Sequence, residues 1–379
     1  MNFDQLLKFG VDQGASGIHL QAESTPQLRI GGLIRNVEGA PVKADELRAF
    51  IASIAPKQLA DDIDRLLTVG SVFSASHPAG RFRCTTFSQI GGPALVLRVI
   101  PAKIGSVEEL NLPRAVRDIA LAPRGLILVA GPGGSGKSTT LAAMVDLING
   151  ASNLKIVTIE APVEYVYANK KAMITQMEVG QNASSFEHGL GLALKQDADV
   201  IVIGELTDPM VARMVLAAIE SGRKIMAAMT GLSTVQTITR LISLISQDEK
   251  ESALTRVAAA IEGVIAQQLT KTRDGKFQPA VEIFRGGVNT TKPIVEGRIR
   301  DLNFFIESRQ GGMQSLDQHL LELHQTGLIS GTETMRLANN PEAVGVGLRA
   351  ARQASASATT TGSTPPAPSP RRTEPGLAP

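Results

Sequence analysis

Hydrophobic positions change their rhythm along the chain, and the change marks two kinds of architecture. Near the start, Phe3 to Gln13 brings Leu6, Leu7, Phe9 and Val11 close together at helical spacing, which predicts an amphipathic helix. Two short apolar runs, Gln27 to Ile30 and Leu33 to Val37, flank Gly31-Gly32, a pair that tolerates positive φ and predicts a hairpin. Asp45 to Ala55 reads as a second helix stopped by Pro56, while Arg81 to Phe87 and Ala94 to Ile100 read as strands around Gly91-Gly92-Pro93. Residues 1–100 thus form a small α/β domain, and 101–123, from Pro101 to Pro123, form a linker.

From Gly125 the texture becomes short continuous apolar runs alternating with helices, the pattern of a parallel sheet covered on both faces. The predicted strands are Gly125 to Ala130, Lys155 to Ile159, Asp199 to Leu206 and Lys224 to Met229. Ser184 and Glu187 are spaced as a capping box for a helix running to Lys195, while Asp208-Pro209 starts the next helix and Gly222 ends it. Beyond about Ser246 the pattern is mainly helical, within a domain spanning 124–352. The last segment, 353–379 from Gln353, is rich in Ser, Thr, Pro and Ala and cannot bury enough apolar surface to fold, so it is predicted disordered. There is no internal repeat.

Composition narrows the function by exclusion. The 379 residues exceed one average core and suit two or three domains. Apolar residues make up 43%, yet no run is long enough to span a bilayer, and the N-terminus lacks a basic leader with a cleavage site. The expected location is therefore cytoplasmic. A single cysteine, Cys84, rules out an intrachain disulfide and a multi-cysteine zinc module and reads as a plain semi-buried thiol. Basic and acidic residues number 38 and 36, a net charge of +2 that supplies no broad field for nucleic acid or anionic lipid.

Chemistry concentrates in GPGGSGKST, Gly131 to Thr139, which contains GxxxxGK[ST] at Gly131, Gly136, Lys137 and Ser138. The context makes the motif specific: LILVA enters the loop as a strand, and STTLAAMVDLING leaves it as a helix ending near Asn149-Gly150. Gly131, Pro132, Gly133, Gly134, Ser135, Gly136 and Thr139 would wrap phosphates with backbone N–H groups at the positive end of that helix. Lys137 would neutralise the β/γ oxygens of ATP, and Ser138 would coordinate Mg²⁺. Acidic groups are needed at neighbouring strand ends to hold the metal through water and to orient the attacking water. Glu160, ending IVTIE, and Glu205, ending DVIVIGE, fit that need. Glu164 is either a further member or a surface charge, and Glu178 and Glu187 read as surface residues of a helix or loop.

These residues resemble the type II/type IV secretion ATPase family, and within it the pilus-retraction (twitching-motility, PilT-like) branch. The resemblance runs from about Gly14 to Pro341 and is carried by GASGIHL, PQLRIGGLIR, GRFRCTTF, LRVIP, PRGLILVAGPGGSGKSTTLAAM, TIEAPVEY, DADVIVIGEL, VIAQQL and GMQSLDQHLLELHQTGLIS in collinear order. It implies a PAS-like N-terminal α/β domain plus a RecA-like P-loop core with a mainly helical C-terminal region. It also implies a hexamer with nucleotide between the two domains. By the resemblance, Glu160 is the Asp-box acid, Glu205 the Walker B acid, and Arg83 and Arg98 reach the phosphates; from the residues alone those arginines could equally face solvent. The implied partners are copies of the same chain or a related ATPase in a mixed ring, and a platform protein of the inner membrane at whose inner face the ring would sit.

Several positions depart from the family pattern. Ala161 stands where the Asp box carries aspartate, Thr230 followed by Gly231 stands at the His box, and Gly191, Lys195 and Thr207 replace arginines. The C-terminal segment that in retraction motors forms a helix reads NTTKPIVE, Asn289 to Glu296, where Pro293 predicts a break. Two functions are thus weighed: a hexameric motor turning ATP hydrolysis into domain rotation, and a degenerate paralogue that binds ATP and regulates an active motor. A small-molecule kinase would need an acceptor pocket and lid, and a DNA translocase a basic channel; the sequence shows neither.

Overall fold

The computed structural model describes residues 2–245 and 250–360. Strands β1 (Gly17–Gln21), β2 (Gln27–Ile30), β3 (Leu33–Asn36), β4 (Ser71–His77), β5 (Gly80–Gln89) and β6 (Gly92–Ile100) form one sheet in the order β3-β2-β1-β6-β5-β4. Every neighbouring pair is antiparallel. Alternation along β5 decides what each face does: Phe82 and Cys84 point into an apolar layer, and Arg81 and Arg83 lie on the opposite face. Helices Phe3–Asp12, Ala44–Ile54 and Ile63–Val69 close the apolar face with Leu7, Leu47, Ile51 and Leu67. Cys84 is fully buried there, and burial pushes its thiol up to about 12.

The second sheet contains β7 (Gly125–Ala130), β8 (Lys155–Glu160), β9 (Met173–Glu178), β10 (Val200–Ile203), β11 (Lys224–Met229), β12 (Ile261–Lys271) and β13 (Phe277–Arg285). Their order is β13-β12-β7-β11-β10-β8-β9, parallel throughout except for the β12–β13 hairpin. Buried apolar layers lie on both faces, Leu126, Leu128 and Ala130 on one and Ile127 and Val129 on the other, which is why β7 carries no polar side chain. Helices Arg114–Ala120 and Lys137–Ala151 cover one face, and Phe186–Lys195, Pro209–Glu220, Thr234–Leu244 and Lys250–Ala260 the other. Val116 and Ile119 of the segment predicted as linker are fully buried in this core. Among the described residues no helix is long and apolar enough to cross a membrane.

Three sequence-based expectations need correction. The region after Ser246 is mainly helical as expected, but it also holds β12 and β13, which complete the sheet because β12 pairs with β7 and β13 with β12, contacts that no local window contains. The cap of helix Phe186–Lys195 is Ser185, whose Oγ accepts from His188 N at 3.0 Å, so the Ser184–Glu187 box does not form. Pro293 does not break its segment: helix Val288–Val295 runs through it. The helix is short, so the missing N–H leaves unmatched only a carbonyl of its first turn, and Pro293 and Ile294 are buried in exchange. Finally, helix Pro341–Thr360 continues past Gln353; the rest of the predicted tail, 361–379, lies outside the described residues.

The C-terminal helices Leu316–Gln325 and Gly331–Leu337 pack on β13 and on each other. Ser315 and Gln318 form a reciprocal capping box, and Asp317 accepts from Asn339 N and Asn340 N. His319 is buried, and its Nδ1 accepts from Val281 N at 2.9 Å; burial lowers its pKa from 6.5 to about 4. Because the folded value lies below the unfolded one, the stability this neutral ring contributes is present above pH 6.5 and is lost as pH falls towards about 4. His319→Ala is expected to lower stability by about 2–4 kcal/mol at pH 7.5. It should also flatten the acid limb of the urea midpoint against pH between 6.5 and 4. An unchanged acid limb would place the titration elsewhere.

Candidate nucleotide-binding site

The loop from Gly131 to Thr139 leaves the carboxyl end of β7 and enters helix Lys137–Ala151 through Gly136, whose φ of 89° is left-handed. A Cβ at Gly131 would overlap Ser135 Oγ and lie 2.5 Å from the carbonyl oxygen of Gln267, so only glycine passes here. Lys137 Nζ donates to Gly131 O and Pro132 O, both at 2.9 Å. Burial lowers its pKa, and the carboxylates of Glu205 and Glu164 oppose that shift, which places both near the lysine. Ser135 Oγ is buried without a partner, an orphan hydroxyl inside the cradle, whereas Ser138 is exposed at the helix start. Thr139 Oγ1 shares a hydrogen bond of 2.9 Å with the buried Tyr165 hydroxyl.

Glu160 and Glu205 lie at adjacent strand ends, as their positions in the sequence predict. A Cβ at Gly204 would stand 3.1 Å from Glu160 Cα, so this glycine lets the two segments approach. Leu206 N donates to Ala228 O at 2.8 Å, which fixes the chain just after the exposed Glu205. Burial pushes Glu160 up to about 7, although Thr158 Oγ1 at 2.7 Å and Gln176 Nε2 at 3.5 Å donate to its Oε1. A carboxyl poised near neutrality can hold or release a proton at working pH.

The polar face of the antiparallel sheet meets this region. Arg83 Nη1 donates to Glu164 Oε1 at 2.8 Å, so Glu164 is a partly buried ion-pair member and not a surface charge. Arg98 pairs directly across from Arg83 in the β5–β6 register and is exposed; the two arginines share one face. Arg81 Nη2 donates to Ser74 Oγ at 2.8 Å and to Val163 O at 2.9 Å. Glu178 accepts from Ser74 Oγ at 2.8 Å and Val163 N at 2.9 Å, and from Gln181 Nε2. The expectation that Glu178 is a surface residue is therefore corrected: it is 5% exposed and sits at the end of β9. Its apolar strand neighbours were weak signals, because β9 is an edge strand with exposed Met173.

Two further residues escaped the sequence reading. Gln267 of β12 donates from Nε2 to Ser135 O at 2.6 Å and accepts at Oε1 from Thr140 Oγ1 at 2.8 Å. Glu282 of β13 accepts from Thr234 N at 2.6 Å, at the start of helix Thr234–Leu244. A polar pair inside an apolar strand, as in VIAQQL, was the available signal for the first. The departures cluster nearby: Ala161 and Thr230 are exposed, and a Cβ at Gly231 would overlap Thr237 Oγ1. Thr230 and Pro132 line a cleft of about 940 Å³ together with Arg240, Arg298 and Arg300.

The burial of Glu160 gives a stability test. Its folded pKa of about 7 lies above the unfolded 4.5, so the stability linked to the protonated carboxyl is fully present below about pH 4.5 and is lost as pH rises through 7. Without nucleotide or metal, Glu160→Gln is expected to be more stable than wild type at pH 8 by about 1–3 kcal/mol. The gain should vanish towards pH 4.5 in urea titrations. A gain independent of pH would sever it from the carboxyl.

Comparison with known proteins bears on the family and the fold. The twitching motility protein of Neisseria gonorrhoeae is 36% identical over 341 residues, covering 89% of this chain and 91% of that protein. The type IV pilus retraction ATPase PilT of Pseudomonas aeruginosa is 34% identical over 343 residues, covering 90% and 99%. The crystal structure of the pilus retraction motor PilT with bound ADP superposes with a TM-score of 0.81 at 30% identity, covering 90% of this chain and 98% of that one. The mixed α/β architecture, an N-terminal unit followed by an ATPase core, is the fold of that motor. With residues 3–305 matching the Type II/IV secretion system protein family, the chain belongs to that family of secretion and pilus ATPases.

Proposed function

We propose that this chain is a type IV pilus ATPase that binds Mg²⁺-ATP in the Gly131–Thr139 loop and couples hydrolysis to movement between its two sheets. The observation that carries the reading is one juxtaposition: Lys137 in a glycine-built loop, with Glu160 and Glu205 at the ends of the neighbouring strands β8 and β10. The orphan hydroxyl of Ser135 and the open Ser138 suit phosphate oxygens and a metal respectively. Magnesium supplies charge neutralisation on the β and γ oxygens. Lys137 would exchange its two loop carbonyls for phosphate oxygens, and Ser138 with Glu205 would hold the metal, Glu205 through water. Glu160 in its carboxylate form would accept a proton from water as the water oxygen bonds to the γ phosphorus and the bond from phosphorus to the ADP oxygen breaks. Arg83 and Arg98, on the face turned to the core, supply positive charge to the same phosphates.

Assembly follows from the incompleteness of the site, because a P-loop core without its own finger arginine borrows positive charge from another domain or subunit. A ring of six copies, or a mixed ring with a related ATPase, is the proposed form, working against an inner-membrane platform protein on its cytoplasmic side. The break predicted at Pro293 does not form, although the residues Asn289 to Glu296 still differ from the segment of the retraction branch.

The degenerate-paralogue reading keeps its own support in Ala161, Thr230, Thr207, Gly191 and Lys195, since losing one transition-state arginine can cost on the order of 10³-fold in rate. A phosphate-release assay tests hydrolysis: wild type is expected to turn over at about 1 s⁻¹ or less, with Lys137→Ala at background and Glu205→Gln retaining ATP-dependent thermal stabilisation without turnover. Equal stabilisation of wild type and Lys137→Ala would overturn the binding claim. The two readings separate on the combined change Ala161→Asp, Thr207→Arg and Thr230→His. A large rise in turnover with the triple variant, and little with each single one, is expected of a degenerate site, because such groups act as one unit. Turnover normal in wild type and unmoved by the triple change makes the chain a working motor.

A further inference from the structure

We infer that Gln267 is a positioning residue for the phosphate loop: the amide, reaching in from β12, sets the direction of the loop's backbone N–H groups. The inference rests on reading Gly131–Thr139 as the nucleotide site and adds a residue outside the motif.

The register brings Gln267 there. Ala266 of β12 pairs with Ala130 of β7, so the next residue along β12 runs beside Gly131, the first residue of the loop. The side chain is 2% exposed and spans the loop at two points, donating to Ser135 O and accepting from Thr140 Oγ1, itself 2% exposed. Ser135 O can only accept, so the NH₂ end of the amide must face it and the assignment of oxygen and nitrogen is forced. A trans peptide holds its C=O and N–H on opposite sides. Drawing the Ser135 carbonyl inward to Gln267 therefore turns the Gly136 N–H outward, into the concave side that a phosphate enters. The second contact holds Thr140 on the first turn of helix Lys137–Ala151, the turn that also carries Lys137 and Ser138. Backbone packing closes the arrangement: a Cβ at Gly136 would lie 3.0 Å from Gln267 Nε2, and one at Gly131 2.5 Å from Gln267 O.

The Ser135 carbonyl requires a donor, and at this side-chain length glutamine supplies one at every pH together with an acceptor for Thr140. Glutamate keeps the shape but at high pH offers two acceptors, one of them facing the Ser135 carbonyl. Methionine keeps the volume and loses both hydrogen bonds. A side chain that merely filled the core would cost stability in either variant without touching affinity.

The test measures Kd for ATP with Mg²⁺, and the melting temperature, for wild type, Gln267→Glu, Gln267→Met and Lys137→Ala from pH 5.5 to 8. Both Gln267 variants are expected to bind ATP about tenfold more weakly at pH 8 or worse, the scale of one hydrogen bond to the loop. For Gln267→Glu the ratio to wild type should fall as pH drops, because the introduced carboxyl then regains a donor; for Gln267→Met it should stay constant. Lys137, Glu160, Glu164 and Glu205 surround the same loop in every variant, so the ratio isolates the new group. Wild-type Kd values in both variants, with only the melting temperature lowered, would overturn the inference. Failure of the site itself is distinguishable, since wild type and Lys137→Ala would then bind alike.

Discussion

Everything at the carboxyl edge of the seven-stranded sheet depends on the approach of Gly131 to β12. The backbone of β12 occupies the space a Cβ would need, so the chain can turn from β7 into its helix only through glycine. Once the turn is made there, the helix begins over the end of β7 and its unpaired N–H groups face the crevice. The strand order then dictates the rest. β8 and β10 are neighbours, so their terminal segments bring Glu160 and Glu205 together, and Gly204 permits that contact. β11 ends between them and the loop, which puts Thr230 at the position where a side chain could read the phosphate.

Lys137 and Arg83 bring positive charge to this crevice beside the carboxylates of Glu164 and Glu205. Lys137 is turned back on carbonyls of its own loop, a weak resting arrangement for a partly buried ammonium. Arg83 and Arg98 lie directly opposite each other on β5 and β6, and like charges at such positions destabilise a sheet. Glu164 offsets part of that repulsion by pairing with Arg83 at 2.8 Å. Phosphate oxygens would relieve all three cations at once. Glu160 behaves in the opposite sense, since burial already favours its protonated form and a nearby metal would return its charge.

What could be read from the sequence was what local chemistry fixes. The strand–loop–helix of Gly125 to Ala151 was legible because glycine, lysine and a continuous apolar run each have a single structural use there. The Gly31-Gly32 hairpin and the Asp208-Pro209 cap were legible for the same reason. β9 and β12 were not, because MITQME and IEGVIAQQLTK become strands only by pairing with β8 and β7, far away in sequence. Pro293 misled because the penalty for proline is a local prior, and burial of Pro293 and Ile294 overrides it. Glu178 and Gln267 were invisible as site residues for a related reason: a buried polar side chain declares its role only when its partners are in place.

Those partners also explain how the two sheets could act on each other. The segment after Glu160 is held from both sides: Glu178 of β9 takes the N–H of Val163, and Arg81 of the antiparallel sheet takes its carbonyl. Ser74 of β4 links the two, donating to Glu178 while accepting from Arg81. Glu164, next in the chain, holds Arg83. A short stretch of backbone directly joined to a catalytic-type carboxyl is thus fastened to strands of both sheets. Separating the sheets would break the contacts of Ser74 with Glu178, Arg81 with the Val163 carbonyl and Arg83 with Glu164, while Glu178 would keep the Val163 N–H and Arg81 would keep Ser74. Movement between the two sheets would therefore be exchanged at these three contacts, beside the Glu160 segment. Rearrangement of the phosphate end of the crevice would be felt at β4 and β5 through covalent and hydrogen-bonded links alone.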